Sequence, residues 1–108
     1  MKKGRILIIF IFMELTSKQR KQLEKIAHPL NPVVIVGAAG VTDGVIEMVN
    51  QTILSHELIK VKFNEYKDEK QELTENICST TGATLVRIVG NVAILYKQNE
   101  ENPVITLD

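Results

Sequence analysis

Val33-Val-Ile-Val-Gly-Ala-Ala-Gly-Val-Thr42 is the stretch on which the fold turns. Four β-branched residues in a row, bounded by Pro32 and Gly37, read as a short strand. With no polar residue in the run, both faces should be buried, which predicts a central strand with a parallel neighbour. Gly37-Ala38-Ala39-Gly40 follows as a tight loop, because glycines three apart let the main chain turn sharply and let a bulky group come close to it. Thr42 is a good N-cap. Val45, Ile46, Val49 and Ile53 fall on one side of a helix that should end near Ser55-His56. The strand, loop and helix together aim unpaired N–H groups at whatever approaches the loop.

Upstream, Thr16-Ser-Lys-Gln19 has the form of a capping box. Leu23, Ile26, Ala27 and Leu30 make one stripe of the helix it starts, with Lys18, Lys21, Gln22 and Lys25 on the opposite face. Pro29 stops that helix. Downstream, Leu58-Ile-Lys-Val-Lys-Phe63 alternates, so Ile59, Val61 and Phe63 point one way and Lys60 and Lys62 the other. Residues 64–70 form a charged connector into a third helix, whose inner stripe is Leu73, Ile77 and Cys78 and whose end falls at Gly82. Residues 84–89 and 92–97 are two strands, and Gly90-Asn91 between them suits a hairpin turn of type I′ or II′. Residues 98–108 read as a loosely held tail. The order α-β-α-β-α-β-β predicts an α/β (α+β) fold: a mixed four-stranded sheet packed by helices, with right-handed β-α-β crossovers.

The 108 residues suit one domain, and the near-absence of aromatics leaves its core to Ile, Leu, Val and Ala. The formal net charge of zero argues against capture of a polyanion by the chain as a whole. Residues 1–12 hold Lys2, Lys3 and Arg5 and no acid. Without them ten basic residues face thirteen acidic ones, so any anion-binding surface must be local. Met1-Lys-Lys-Gly-Arg followed by Ile6 to Phe12 has the outline of a signal peptide, but no small-x-small cleavage site follows and the run is too short to cross a bilayer. The simplest expectation is that Met13 is the first residue and that 1–12 come from an upstream start codon. A cleaved or anchoring signal and an added β-strand are the alternatives. Cys78 is the single cysteine, which leaves no intramolecular disulfide and no multi-cysteine metal site. Its place on an apolar stripe predicts an inert core thiol.

The Gly37–Gly40 loop has the GxxG form with which KH-type domains clamp a nucleic-acid backbone. It lacks the Gly-Lys-Ser/Thr of a phosphate-binding P-loop and is not GxGxxG. The lysine face of the first helix and the Lys60/Lys62 pair read either as solvated surface or as a phosphate-contacting stripe. His28 and His56 have no Cys/His cluster around them, and a helix C-terminus is reason enough for His56. Ser17, Ser55 and Ser79 lie in helical contexts without a nucleophile elbow. No set of nucleophile, base and orienting group can be assembled, so no enzymatic activity is expected.

Taken jointly, separated segments resemble a known family: Leu15-Thr-Ser-Lys-Gln-Arg20, Ala27-His-Pro-Leu30, Pro32-Val-Val-Ile-Val-Gly37 with Gly40-Val-Thr42, His56-Glu-Leu-Ile-Lys-Val-Lys62, Thr81-Gly-Ala83, and Ile88-Val-Gly90 with Leu95-Tyr96. The family is the CRM domain (chloroplast RNA splicing and ribosome maturation) in its stand-alone bacterial YhbY-like form. The resemblance spans residues 13–97. It implies a fold similar to the C-terminal domain of translation initiation factor three and an RNA-binding role on precursors of the large ribosomal subunit. A chain without a disulfide fits a reducing cytoplasm, and a monomer with no metal, membrane or small-molecule substrate is expected. The resemblance implies no enzymatic activity and no cofactor. The RNA-contacting residues it implies are Gly37, Ala38, Ala39, Gly40 and Thr42, with Lys18, Arg20, Lys21, Lys25, Lys60 and Lys62 beside them. The family loop usually carries a basic residue between its glycines, where this chain has Ala38 and Ala39. For every phosphate that a cation no longer neutralises, the log–log salt dependence should become shallower by about one unit. The alternative expectation is a ribosome-associated protein-docking adaptor with a weakened RNA surface.

Overall fold

Thr16 opens the first helix by the capping box that its sequence predicts. Its hydroxyl accepts from the Gln19 N–H at 3.1 Å, and Gln19 Oε1 accepts from the Thr16 N–H at 3.0 Å. In the computed structural model, which describes residues 14–108, the elements that follow are α1 (Ser17–Ala27), β1 (Val34–Val36), α2 (Asp43–His56), β2 (Leu58–Phe63), a 3-10 turn (Lys67–Glu69), α3 (Lys70–Thr81), β3 (Thr84–Val89) and β4 (Val92–Tyr96). The readings made for residues 1–12 lie outside the described residues. The predicted mixed four-stranded sheet is present, in the order β1-β2-β4-β3. β1 runs parallel to β2, and the other two pairings are antiparallel. Gly90 turns the β3–β4 hairpin with φ 59, and Asn91 keeps a negative φ, the II′ pattern.

The alternation of β2 separates two cores. Ile59, Val61 and Phe63 pack with Val36, Val49 and Ile77 under α2 and α3. Leu58 packs on the other face with Leu23, Ala27, Val86, Ile94 and Tyr96 under α1. Fully burying side chains of this size stabilises the fold by about 1.5–3 kcal/mol each. The buried stripe of α1 is narrower than its apolar pattern suggests: Ile26 and Leu30 stay about two-fifths exposed. The expectation of a central β1 is corrected. β1 is an edge strand with buried Val34 and Val36 but an Ile35 that is 53% exposed. Its parallel neighbour is as expected. The second face stays open at Ile35, since α1 packs mainly over β2 and β3.

The C-terminal tail is also corrected, because it is pinned rather than loose. α2 ends at Glu57, whose backbone has φ 62 and whose side chain is fully buried. The Glu57 carboxylate accepts from the N–H groups of Asn99 (2.6 Å), Val104 (2.8 Å) and Ile105 (2.7 Å). Those bonds lay Ile105 and Leu107 against the α1 core. Gln22 then donates to Thr106 O and accepts from the Asp108 N–H. Burial first, and the Glu57 carboxylate second, push the Tyr96 phenol up. Cys78 is buried as expected, and burial followed by Glu75 raises its thiol to about 11.

Glu57→Ala orphans three tail donors at once, so unfolding free energy in urea should fall by about 2–4 kcal/mol, with faster amide exchange at Val104 and Ile105. A decrease of under 0.5 kcal/mol would mean that the tail contributes nothing. The thiol shift is upward, so the stability it represents is whole below pH 9 and is lost as pH climbs towards 11. Over that window the wild type should lose about 2–3 kcal/mol more than Cys78→Ala does.

Candidate nucleic-acid interface

The Gly37–Gly40 loop leaves the sheet at the C-terminal end of β1. The Gly40 N–H donates to Gly37 O at 3.0 Å and closes the bend. Gly40 sits at φ 77, a conformation that a side chain would strain. A Cβ added at Gly37 would meet nothing within 4 Å, and Ala38 and Ala39 are exposed, so the loop is not walled off. Among the described residues, the Ala39 and Val41 N–H groups have no hydrogen-bond partner. Thr42 caps α2 by accepting from the Val45 N–H at 3.2 Å. Asp43 occupies the first turn of α2, where its carboxylate already answers part of the helix's positive end. The free loop amides, more than the dipole of α2, are what this bend offers an anion.

Tyr66 holds the loop from below, a contact that sequence reasoning missed. Its hydroxyl donates to Ala38 O at 2.7 Å, and its Cε2 lies 3.6 Å from where a Gly40 Cβ would stand. The Asn64 N–H donates to Val36 O at 3.0 Å and brings the connector alongside. That connector also carries Glu65, Asp68 and Glu69, with Lys67 among them.

The basic residues expected at the interface divide into two groups. Lys18, Lys21, Lys25 and Lys62 are exposed, with no hydrogen bond or ion pair among the described residues. Arg20 and Lys60 are occupied in holding the fold. The Arg20 guanidinium donates to Leu85 O and Val86 O and ties α1 to β3. Lys60 Nζ donates to His28 O (3.2 Å) and Leu30 O (2.9 Å), beyond the end of α1. Arg87, which sequence reasoning also passed over, pairs with Glu24 at 2.8 Å.

Charge is therefore sorted by layer. α1 carries Lys18, Arg20, Lys21 and Lys25 against one acid, Glu24. α2 and α3 carry Asp43, Glu47, Glu72 and Glu75 against one lysine, Lys70. A groove between α1 and the sheet is lined by Val89, Val92 and Ile94 together with Glu24, Lys25, His28, Pro32 and Lys60. Lys21 and Lys18 stand one and two turns back from Lys25 on the same helix face. Strand register places Ile35, Lys62, Val92 and Val89 in one cross-strand row, two residues short of Gly37. The loop and Lys62 thus share one end of the sheet, and the groove reaches that end at Val89 and Val92. Among the described residues, no three His, Cys, Asp or Glu side chains are grouped to hold a metal ion, and no helix is long and apolar enough to cross a membrane.

Residues 15–97 match the family model of the CRS1 / YhbY (CRM) domain. A probable RNA-binding protein of Pseudomonas aeruginosa is 38% identical over 88 residues, covering 81% of this chain and 85% of its own length. A probable RNA-binding protein of Bacillus subtilis is 35% identical over 94 residues, covering 86% and 98% respectively. Among solved structures, a Staphylococcus aureus protein described as an RNA-binding candidate superposes with a TM-score of 0.74 at 33% identity. The match covers 88% of this chain and all of that one.

The two β2 lysines separate fold from surface. Lys60→Met removes two bonds to carbonyls and should cost about 1–2 kcal/mol in urea unfolding, whereas Lys62→Met should stay within about 0.5 kcal/mol. Equal effects of the two substitutions would contradict the assignment.

Proposed function

We propose that this chain, which belongs to the CRS1 / YhbY (CRM) domain family, binds structured RNA, and that its target is ribosomal RNA in precursors of the large subunit. The observation that carries this reading is the open Gly37–Gly40 bend at the same end of the sheet as the unpaired Lys62, in a chain whose charge is sorted by layer. Phosphate oxygens reach the loop amides, and Lys18, Lys21, Lys25 and Lys62 supply the local positive field. Arg20 and Lys60 contribute by holding α1 where those lysines are useful. The relatives named as RNA-binding proteins support the partner class. The protein acts as a monomer in the cytoplasm, without enzymatic activity. Recognition rests on shape and phosphates, since Tyr66 is the one exposed aromatic among the described residues.

A protein-docking adaptor is the second reading. The exposed apolar side chains of Ile35 and Val89 beside a lysine-free loop favour it. Pull-down from lysate with and without nuclease separates the two, because RNA-mediated partners vanish with the nuclease.

Binding to pre-ribosomal RNA, followed at two or more salt concentrations, tests the main reading. Lys18/Lys21/Lys25→Ala should weaken affinity at least tenfold at low salt and shallow the log–log salt slope by about three units. Gly37→Asp adds a carboxylate in open space and should weaken binding without unfolding the chain. Unchanged affinity in both variants would reject this surface.

A further inference from the structure

Tyr66 braces the loop, yet much of its ring stays free for another contact. Its backbone is left-handed, φ 57 and ψ 39, which aromatic residues rarely adopt and which persists only where the surroundings impose it. Its neighbours Asn64, Glu65, Lys67, Asp68 and Glu69 are all polar, and the shallow hollow they form with it has no apolar floor. Yet the ring is anchored by its hydroxyl on Ala38 O, and its edge lies 3.6 Å from where a Gly40 Cβ would stand. It remains 42% exposed, while Phe63 and Tyr96 are buried. An aromatic surface is thus held rigid and wet beside the bend where phosphates would lie.

We propose that Tyr66 is a base-stacking residue, and that the RNA held by this loop carries an unpaired nucleotide next to the phosphate at Gly37–Gly40. The inference rests on the RNA-binding reading and names the kind of RNA. Every base has a face that can stack on an aromatic ring, so the contact is tolerant of sequence. A base inside an A-form duplex is already stacked on both sides and cannot take it. One stacked base strengthens binding by about tenfold. Stacking carries no charge, so it adds nothing to the three carboxylates of the connector and lacks the salt sensitivity of phosphate contacts. It supplies affinity where Ala38 and Ala39 offer no cation. Pinning the ring in the free protein lowers the cost of ordering it on binding.

The chain has no tryptophan and two tyrosines, of which Tyr96 is 1% exposed, so quenching of tyrosine fluorescence reports on Tyr66. The full chain is titrated with a stem-loop RNA and with a blunt, fully paired RNA of equal length. The stem-loop should quench the emission and bind about tenfold tighter than the duplex. Tyr66→Ala should bring the two affinities within threefold by weakening stem-loop binding alone. Tyr66→Phe keeps the ring and should keep the preference. Asparagine tolerates the left-handed backbone, so Tyr66→Asn replaces Tyr66→Ala should the latter unfold. Equal affinity for both RNAs without quenching would overturn the stacking role and leave RNA binding standing. No binding of either RNA would remove the RNA reading and this inference together.

Discussion

Three helices cannot cover two faces of a four-stranded sheet evenly, and that shortfall shapes the rest of the molecule. α2 and α3 share one face and seal it over Val36, Val61 and Phe63. α1 has the other face to itself. It packs mainly over β2 and β3. The uncovered corner is where Ile35, Lys62, Val92 and Val89 line up, where the groove opens, and where the glycine bend leaves the sheet. Pro29 and the two bonds from Lys60 to the carbonyls of His28 and Leu30 fix where α1 gives way.

The same layering explains how a chain without net positive charge can offer a surface to a polyanion. Coulomb forces between exposed charges fade over roughly 10 Å in physiological salt, so the sign of a layer matters more than the sum over the chain. The lysines of α1 are separated from the carboxylates of α2 and α3 by the thickness of the sheet. The connector is the exception, because it brings Glu65, Asp68 and Glu69 alongside the bend. Opposing charge there, and alanines where a cation would help, leave hydrogen bonds from free amides and contact with the Tyr66 ring as the favourable terms available at the loop itself.

Much of the fold was legible because its signals are local. The capping box, the alternation of β2, the helix end at Gly82 and the hairpin at Gly90-Asn91 each depend on residues within a turn of one another. Other features depend on partners far along the chain. Val33-Val-Ile-Val36 reads the same whether or not a helix covers its second face, so its edge position was hidden. The tail looked loose because the carboxylate that anchors it, Glu57, lies more than 40 residues earlier and resembles any polar residue at a helix end. Arg20 and Lys60 read as surface cations, yet both are drawn onto main-chain oxygens of other elements. Tyr66 left only a faint signal: one aromatic in a charged connector that follows a strand paired with the loop's own strand.

Main-chain amide shifts from ¹⁵N-labelled protein, titrated with a structured ribosomal RNA fragment, test the central claim most directly. The account predicts saturable shifts at residues 37–43 and along the lysine face of α1, with α3 left unmoved. Shifts confined to α3 and the tail at full saturation, with the glycine bend silent, would contradict it.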